Sequence, residues 1–188
     1  MTTIQSGQDV VAFLQSQHRE IKQLFSLVQS SSGDERERNF TVLRRLLAVH
    51  ETAEEEVVHP AARKALADGD SIVNARLREE NKAKKTLTEL EALDCASREF
   101  ESLLNTFSMD VLAHAEAEER QEFEPLAASL SEDELTRLRG TVELAERFAP
   151  TRPHAGVESQ AANLIAGPFA AMVDRARDLL TGKSTPAP

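Results

Sequence analysis

Apolar residues recur three and four positions apart along most of the first 128 residues, which is the spacing of one face of an α-helix. The first such stripe predicts a helix that begins near Gln8 or Asp9, with Asp9 as its N-cap, and ends near Gln29. Further stripes predict helices at about 35–66, 72–93 and 97–126. Because these helices are long and their connections are short, the pattern predicts an all-α, up-down-up-down four-helix bundle.

Two interruptions lie in the middle of the chain. Residues 68–70 predict a turn, after which Asp70 or Ser71 can cap the next helix. Pro60 lies inside the second stripe. Since proline lacks an amide hydrogen and crowds the preceding turn, it predicts a bend there or the end of that helix's first part.

The pattern changes beyond residue 128. Ser131 followed by Glu134 is typical of a capping box and predicts a fifth helix to about Phe148. A proline-punctuated connector follows, and then a last amphipathic helix. The predicted organisation is a bundle over 1–128, a C-terminal helical extension packed on it over 129–180, and a disordered tail over 181–188.

Charge and cysteine content narrow the classes of partner. The chain has 22 Lys+Arg against 32 Asp+Glu, a formal net charge of −10, which disfavours nucleic acid and anionic membranes as partners. It contains neither an apolar stretch long enough for a bilayer nor a signal-like amino terminus. The single cysteine, Cys95, excludes an intramolecular disulfide and a cysteine-based metal site. We therefore expect a cytoplasmic protein that is a monomer or a weak homodimer.

One motif occurs twice in the predicted helices. His50 and Glu54 are four residues apart, and so are His114 and Glu118, 64 residues later. Residues four apart lie one above the other on a helix, so each motif presents an imidazole and a carboxylate to the same point. The repeat predicts a duplicated helical hairpin with a metal site between its halves.

The repeat also points to residues on the first and third helices. His18 lies 32 residues before His50, so its counterpart should lie near residue 82, and Glu80 and Asn81 are beside that position. Several histidines and glutamates inside a bundle are costly to bury without a compensating charge, which a metal supplies. Carboxylate bridges and imidazoles from four helices are a common way for a bundle to hold two iron or manganese ions.

These residues resemble the hemerythrin-like (HHE cation-binding) family of non-haem diiron four-helix bundles, over about residues 8–128. The resemblance implies that His18, His50 and His114 are terminal ligands and that Glu54 and Glu118 bridge the ions. It implies two non-haem iron ions joined by an oxo or hydroxo bridge, with manganese or zinc as alternatives. The extension is similar to those of actinobacterial members. The motifs that carry the resemblance are Gln17–Ile21, His50–Ala61, Glu79–Asn81 and His114–Glu119.

The chain departs from the family pattern at two positions. Asn81 stands where the family usually has a histidine, and His59 stands where an aromatic residue, often tyrosine, commonly precedes the proline. An amide oxygen is a poor iron ligand. His59, Glu80 or Glu51 could replace the missing histidine, and the sequence does not decide among them. A vacant position would favour exogenous peroxide or dioxygen, or would weaken binding of the second ion.

The resemblance implies a protein that binds or reacts with dioxygen or hydrogen peroxide, as a carrier, a sensor or a peroxide-decomposing enzyme. The sequence alone leaves open whether it is an enzyme. One alternative is a metal-binding protein of homeostasis or signalling without turnover. Another is a bundle with a degraded metal site that acts through protein contacts.

Overall fold

A computed structural model describes residues 9–149, which form α-helices joined by turns and contain no strand. The all-α, up-down-up-down bundle is therefore confirmed. Two of the long helices each contain a π-helical turn: a first π turn at Glu54–Val58 and a second π turn at Glu119–Phe123. The α-helices are α1 (Val10–Ser30), α2 (Gly33–Ala53), α3 (His59–Ala65), α4 (Gly69–Glu91), α5 (Arg98–Glu118), α6 (Glu124–Ser129) and α7 (Glu132–Phe148).

Each π turn lies directly before a proline-containing helix, with Pro60 in α3 and Pro125 in α6. Proline cannot donate to the carbonyl four residues earlier and crowds it. The π turns shift the backbone pairing to five residues, since the N–H of His59 bonds the carbonyl of Glu54 and that of Glu124 bonds the carbonyl of Glu119. One expectation was that the second predicted helix bends or ends its first part at Pro60. Instead, the helical segment continues from α2 through the first π turn and α3 to Ala65.

The apolar core of the described residues is divided into two clusters. At one end of the bundle, Phe25 packs edge-on against Phe107 at 5.6 Å between ring centroids, and Phe40 packs against Phe100 at 5.0 Å. The cluster at the other end joins α7 to the bundle. Its fully buried members include Val10, Leu14, Ala53, Val58, Phe123, Leu126, Leu138, Val142 and Ala145.

A layer of buried polar residues separates the two clusters. On α1, His18 lies between Leu14 of one cluster and Ile21 of the other. On α2, His50 lies in the same way between Leu47 and Ala53. The packing therefore puts the sequence motifs into one polar layer, where apolar residues on both sides exclude water.

The fifth helix begins as the sequence predicts. The Ser131 side chain accepts from the backbone N–H of Glu134, and the Glu134 carboxylate accepts from the backbone N–H of Ser131. Leu138 and Val142 of this helix, α7, are buried against the bundle. The connector, the last helix and the tail predicted beyond Ala149 lie outside the described residues, and the boundary at residue 128 stays a prediction.

The N-terminus of α1 lies where the sequence predicts it, whereas that of α4 does not. Asp9 caps α1 as predicted, accepting from the N–H of Ala12 at 2.8 Å. By contrast, α4 begins at Gly69, and neither Asp70 nor Ser71 is its N-cap. That prediction was wrong because α4 starts where its backbone touches α3: a Cβ on Gly69 would lie 2.5 Å from the carbonyl oxygen of Ala62.

None of the helices within residues 9–149 combines the length and the apolar character that crossing a bilayer would require.

The close approach at Gly69 predicts a destabilising Gly69→Ala substitution. The added Cβ would meet backbone atoms of α3 at 2.5 and 2.8 Å, which cannot move as a side chain can. We expect a loss of about 1–3 kcal/mol in the free energy of unfolding, measured by denaturant titration.

Gly140→Ala is the matched control, since a Cβ on that α7 glycine meets nothing within 4 Å. It should stabilise the protein by about 0.5–1 kcal/mol because alanine favours the helix. Equal effects of the two substitutions would contradict the proposed close contact.

Candidate metal centre

Four side chains meet in the polar layer: His18 from α1, His50 from α2, Glu54 from the first π turn and Glu118 from α5. His50 Nε2 lies 3.3 Å from Glu54 Oε2, and His18 Nε2 lies 3.5 Å from Glu118 Oε2 and 4.0 Å from Glu54 Oε1. One donor atom from each of the four residues lies within 4.8 Å of the others. Glu54 and Glu118 are fully buried, at 0% exposure. We call His18, His50, Glu54 and Glu118 the first ligand group.

A second ligand group, formed by Glu80, His114 and Glu118, shares a residue with the first. His114 Nε2 lies 3.1 Å from Glu118 Oε1, whereas the other oxygen of Glu118 faces His18. Glu118 therefore lies between the two groups, as a bridging carboxylate would. Both oxygens of Glu54 face histidines of the first group. Its bridging role stays a prediction.

The three histidines of these groups are held from outside by their Nδ1 atoms. His18 is bonded through Nδ1 to Glu119, His50 to the Gln17 amide oxygen and His114 to Glu79, each at 2.8 Å. An oxygen acceptor on Nδ1 fixes the ring and directs Nε2 toward the centre of the bundle. This is the usual arrangement around a metal-ligating histidine.

The inward atoms fit a cation. Nε2 of His18 and of His114 and both oxygens of Glu54 and Glu118 are buried. These atoms lie 3.1–4.0 Å from neighbouring histidines or carboxylates, but in the described structure none of them makes a hydrogen bond of acceptable geometry. Buried polar atoms normally have a partner, and leaving several unsatisfied at one point is costly. Cations held in the two ligand groups would give these nitrogen and oxygen donors the partners that they lack.

The charges of this layer are mutually dependent. Burial, and then Glu118, raise the pKa of Glu54 well above its usual range. Burial alone would raise the pKa of Glu118 as well. The contacts with His114 and His18 lower it by more, so the pKa of Glu118 lies well below its usual range. Burial lowers the pKa of His50 to about 3, with a further contribution from His18. The first group therefore holds a neutral imidazole and at least one carboxylate, a suitable donor set for a metal.

His59 lies next to the second group and has both ring nitrogens engaged. Its Nε2 is 2.6 Å from Glu80 Oε1, and its Nδ1 is 2.8 Å from Glu122 Oε1. Burial lowers the pKa of His59, but the hydrogen bonds to Glu122 and Glu80 outweigh it and raise the pKa to about 10. The structure thus brings together His59 and Glu80, two of the three residues considered as replacements for the missing histidine.

Asn81 and Glu51 are the two remaining positions that the sequence considers for the metal site. Asn81 is half-buried on α4, whereas the adjacent Glu80 is fully buried among the ligand groups. Glu51 belongs to none of the ligand groups of the described residues. It lines a cavity of about 210 Å³ together with Glu79, His114, Lys82 and Asp110, among others. Burial raises the pKa of Glu51 to about 8.

Sequence reasoning missed Glu122, which belongs to a third group with His59 and Glu118. The signal in the sequence was the four-residue spacing between Glu118 and Glu122, and the structure shows that Glu122 is fully buried. The second π turn, which carries Glu122, could not be recognised from helical periodicity.

Comparisons with known proteins identify the family of the chain. The sequence model of the hemerythrin HHE cation-binding domain family matches residues 9–127 of this chain. A crystal structure of a hemerythrin HHE cation-binding domain-containing protein from Mycobacterium kansasii is similar in fold, with a TM-score of 0.66. The two chains are 19% identical, and the similarity covers 90% of this chain and 99% of the other. A comparison with curated proteins finds no match. Since the family model spans well over half of the sequence, the chain belongs to the hemerythrin HHE cation-binding domain family.

Proposed function

We propose that the protein holds two non-haem iron ions in the polar layer and that it binds or reacts with dioxygen or hydrogen peroxide. The observation that carries the proposal is the set of buried inward atoms that lack a partner, on His18, His114, Glu54 and Glu118. Family membership supports a bound cation. The identity of the metal, the number of ions and the reaction with oxygen species belong to the proposal.

Each ion is assigned to one ligand group. His18, His50, Glu54 and Glu118 would hold the first ion. Glu118 would also reach the second ion, with His114, Glu80 and His59 as its further ligands. Imidazole and carboxylate donors without thiolate suit iron, and also manganese and zinc. When bound, iron supplies open coordination positions and the redox chemistry that dioxygen or peroxide requires.

The chain's own residues orient the donors, exclude water and admit a small molecule. Phe123 stacks on His18 at 5.6 Å between ring centroids and belongs to the apolar cluster that covers this side of the layer. On the other side, the 210 Å³ cavity reaches His114. A cavity of this size admits a small molecule. Dioxygen and hydrogen peroxide are both small and neutral.

A second candidate function is metal binding without turnover. The contact between His59 and Glu80 favours it. These two side chains would be ligands of the second ion, but here they are hydrogen-bonded to each other. A protein that retains the contact would hold one ion and offer no second position for redox chemistry. The cytoplasm remains the predicted location, and a monomer or weak homodimer the predicted assembly.

Metal content and turnover distinguish the two candidates. Iron-replete protein should contain about two irons per chain, as paired carboxylate sites in bundles do. Its ultraviolet-visible spectrum should change when hydrogen peroxide is added, and peroxide consumption should follow. One iron per chain without a spectral response would favour metal binding without turnover.

Glu118→Gln should release both ions, because Glu118 lies between the two ligand groups. The amide retains the shape of the side chain but loses the charge. We expect iron affinity to fall by at least about tenfold, since even residues behind the ligands contribute that much. Iron titration measures the loss, and circular dichroism verifies the fold.

Glu116→Gln is the matched control for this variant. Glu116 lies on the same helix, α5, and is exposed. It should leave iron affinity unchanged. Wild-type iron affinity in Glu118→Gln would contradict the shared-ligand assignment.

Removing the metal should lower stability, because an ion that binds only the folded chain stabilises it by mass action. At a metal concentration of about 100 times the dissociation constant, the effect is about 3 kcal/mol. We therefore expect the melting temperature to fall on treatment with chelator and to recover when iron is restored. A melting temperature that is insensitive to chelator would indicate a degraded site.

A further inference from the structure

A hydrogen-bonded chain connects the C-terminal helix to the first ligand group. Glu146 lies near the end of α7, outside the residues that match the family model. Its Oε1 accepts from the side-chain amide nitrogen of Gln17 at 2.6 Å. The oxygen of the same Gln17 amide lies 2.8 Å from Nδ1 of His50. Gln17 thus lies between Glu146 and a ligand candidate.

The carboxylate determines which end of the Gln17 amide faces His50. A carboxylate can only accept hydrogen bonds, so the amide nitrogen of Gln17 must face Glu146 and its oxygen must face His50. That oxygen also can only accept, so His50 must carry its proton on Nδ1. The lone pair of Nε2 is then free toward Glu54, 3.3 Å away.

The reversed amide would have the opposite effect. If Gln17 turned its amide nitrogen toward His50, Nδ1 would have to accept and the proton would move to Nε2. A protonated Nε2 cannot bind a metal. The orientation of one amide therefore decides whether His50 is a competent ligand.

Of the three histidines in the two ligand groups, only His50 needs such a third residue. His18 and His114 contact carboxylates directly, Glu119 and Glu79, and a carboxylate presents the same acceptor whichever way it turns. The amide of Gln17 has two different ends. Something must hold it in one orientation.

The position of Glu146 is fixed by the packing of α7. Ala145 and Val142, which precede it, are buried with Leu14 and Ala53 in the apolar cluster. Gln17 is itself only 8% exposed, so water has little access to replace either contact.

We propose that Glu146 is a positioning residue, which acts through Gln17 to set His50 in the tautomer that binds metal. The C-terminal extension thereby becomes part of the metal centre. The inference rests on the proposed function only in taking His50 as a ligand. The tautomer itself can be observed in metal-free protein.

The first test is ¹⁵N nuclear magnetic resonance of the histidine rings in metal-free, full-length protein at pH 7. Wild-type His50 should be protonated on Nδ1. In Glu146→Leu a substantial fraction should carry the proton on Nε2.

Two further variants control for general effects of substitution. Glu143→Leu changes a carboxylate on the same helix that pairs with Arg139, and it should retain the wild-type tautomer. The exchange Gln17→Glu with Glu146→Gln moves the charge next to His50 and keeps the number of atoms. A carboxylate at position 17 accepts from Nδ1 in either orientation, so this exchange should restore the wild-type tautomer even if Glu146→Leu folds poorly.

Cobalt(II) titration then relates the tautomer to metal binding. Glu146→Leu should bind Co²⁺ roughly tenfold more weakly than wild type, the scale of other residues behind metal ligands. Glu143→Leu should bind as wild type does, and the double exchange should bind more tightly than Glu146→Leu.

The outcomes separate the two proposals. If wild-type protein binds no Co²⁺ or iron but Glu146→Leu changes the His50 tautomer, the positioning role stands and the proposed function fails. If wild type binds metal and Glu146→Leu alters neither tautomer nor affinity, the positioning role is overturned and the proposed function stands. An Nε2 proton on His50 in wild type would also overturn the positioning role.

Discussion

The structure depends on burying a layer of carboxylates and imidazoles between two apolar clusters. Glu54, Glu80, Glu118 and Glu122 are all at 0% exposure in a bundle whose neighbouring residues are phenylalanine, leucine and valine. Buried carboxylates are tolerated only when cations, protons or hydrogen bonds compensate them. The histidines supply part of that compensation, and the inward oxygens of Glu54 and Glu118 make no hydrogen bond within the described residues, which leaves them available to a cation. The same buried layer therefore both constrains the packing of the bundle and supplies the donors for a metal.

The two π turns bring additional residues into this layer. Glu54 begins the first π turn, and His59 directly follows it. Because the turn is wider than an α-helical turn, both side chains reach the buried interior, although they are five residues apart. Glu122 lies within the second π turn and meets His59. The prolines that make these turns favourable thus also complete the polar cluster.

Local periodicity and the internal repeat made much of this predictable. The sequence indicated five members of the polar layer, because residues four apart share a helix face and because the repeat relates the helices. These five are His18, His50, Glu54, His114 and Glu118. The pairing of His59 with Glu80 and Glu122 could not be identified, since π turns break the period on which the reasoning depends. The start of α4 was misplaced because the contact between Gly69 and Ala62 is tertiary. The contact between Gln17 and Glu146 joins residues 129 positions apart, which no local pattern encodes.

Anomalous X-ray diffraction at the iron edge, on crystals of iron-loaded protein, would show whether the polar layer holds two ions. We expect two iron peaks in this layer. One should lie within bonding distance of His18 and His50 and the other within bonding distance of His114, with Glu118 between them. A chain that remains folded with no iron peak in this layer, or with iron only on the exposed acidic surface, would mean that the polar layer is not a diiron centre.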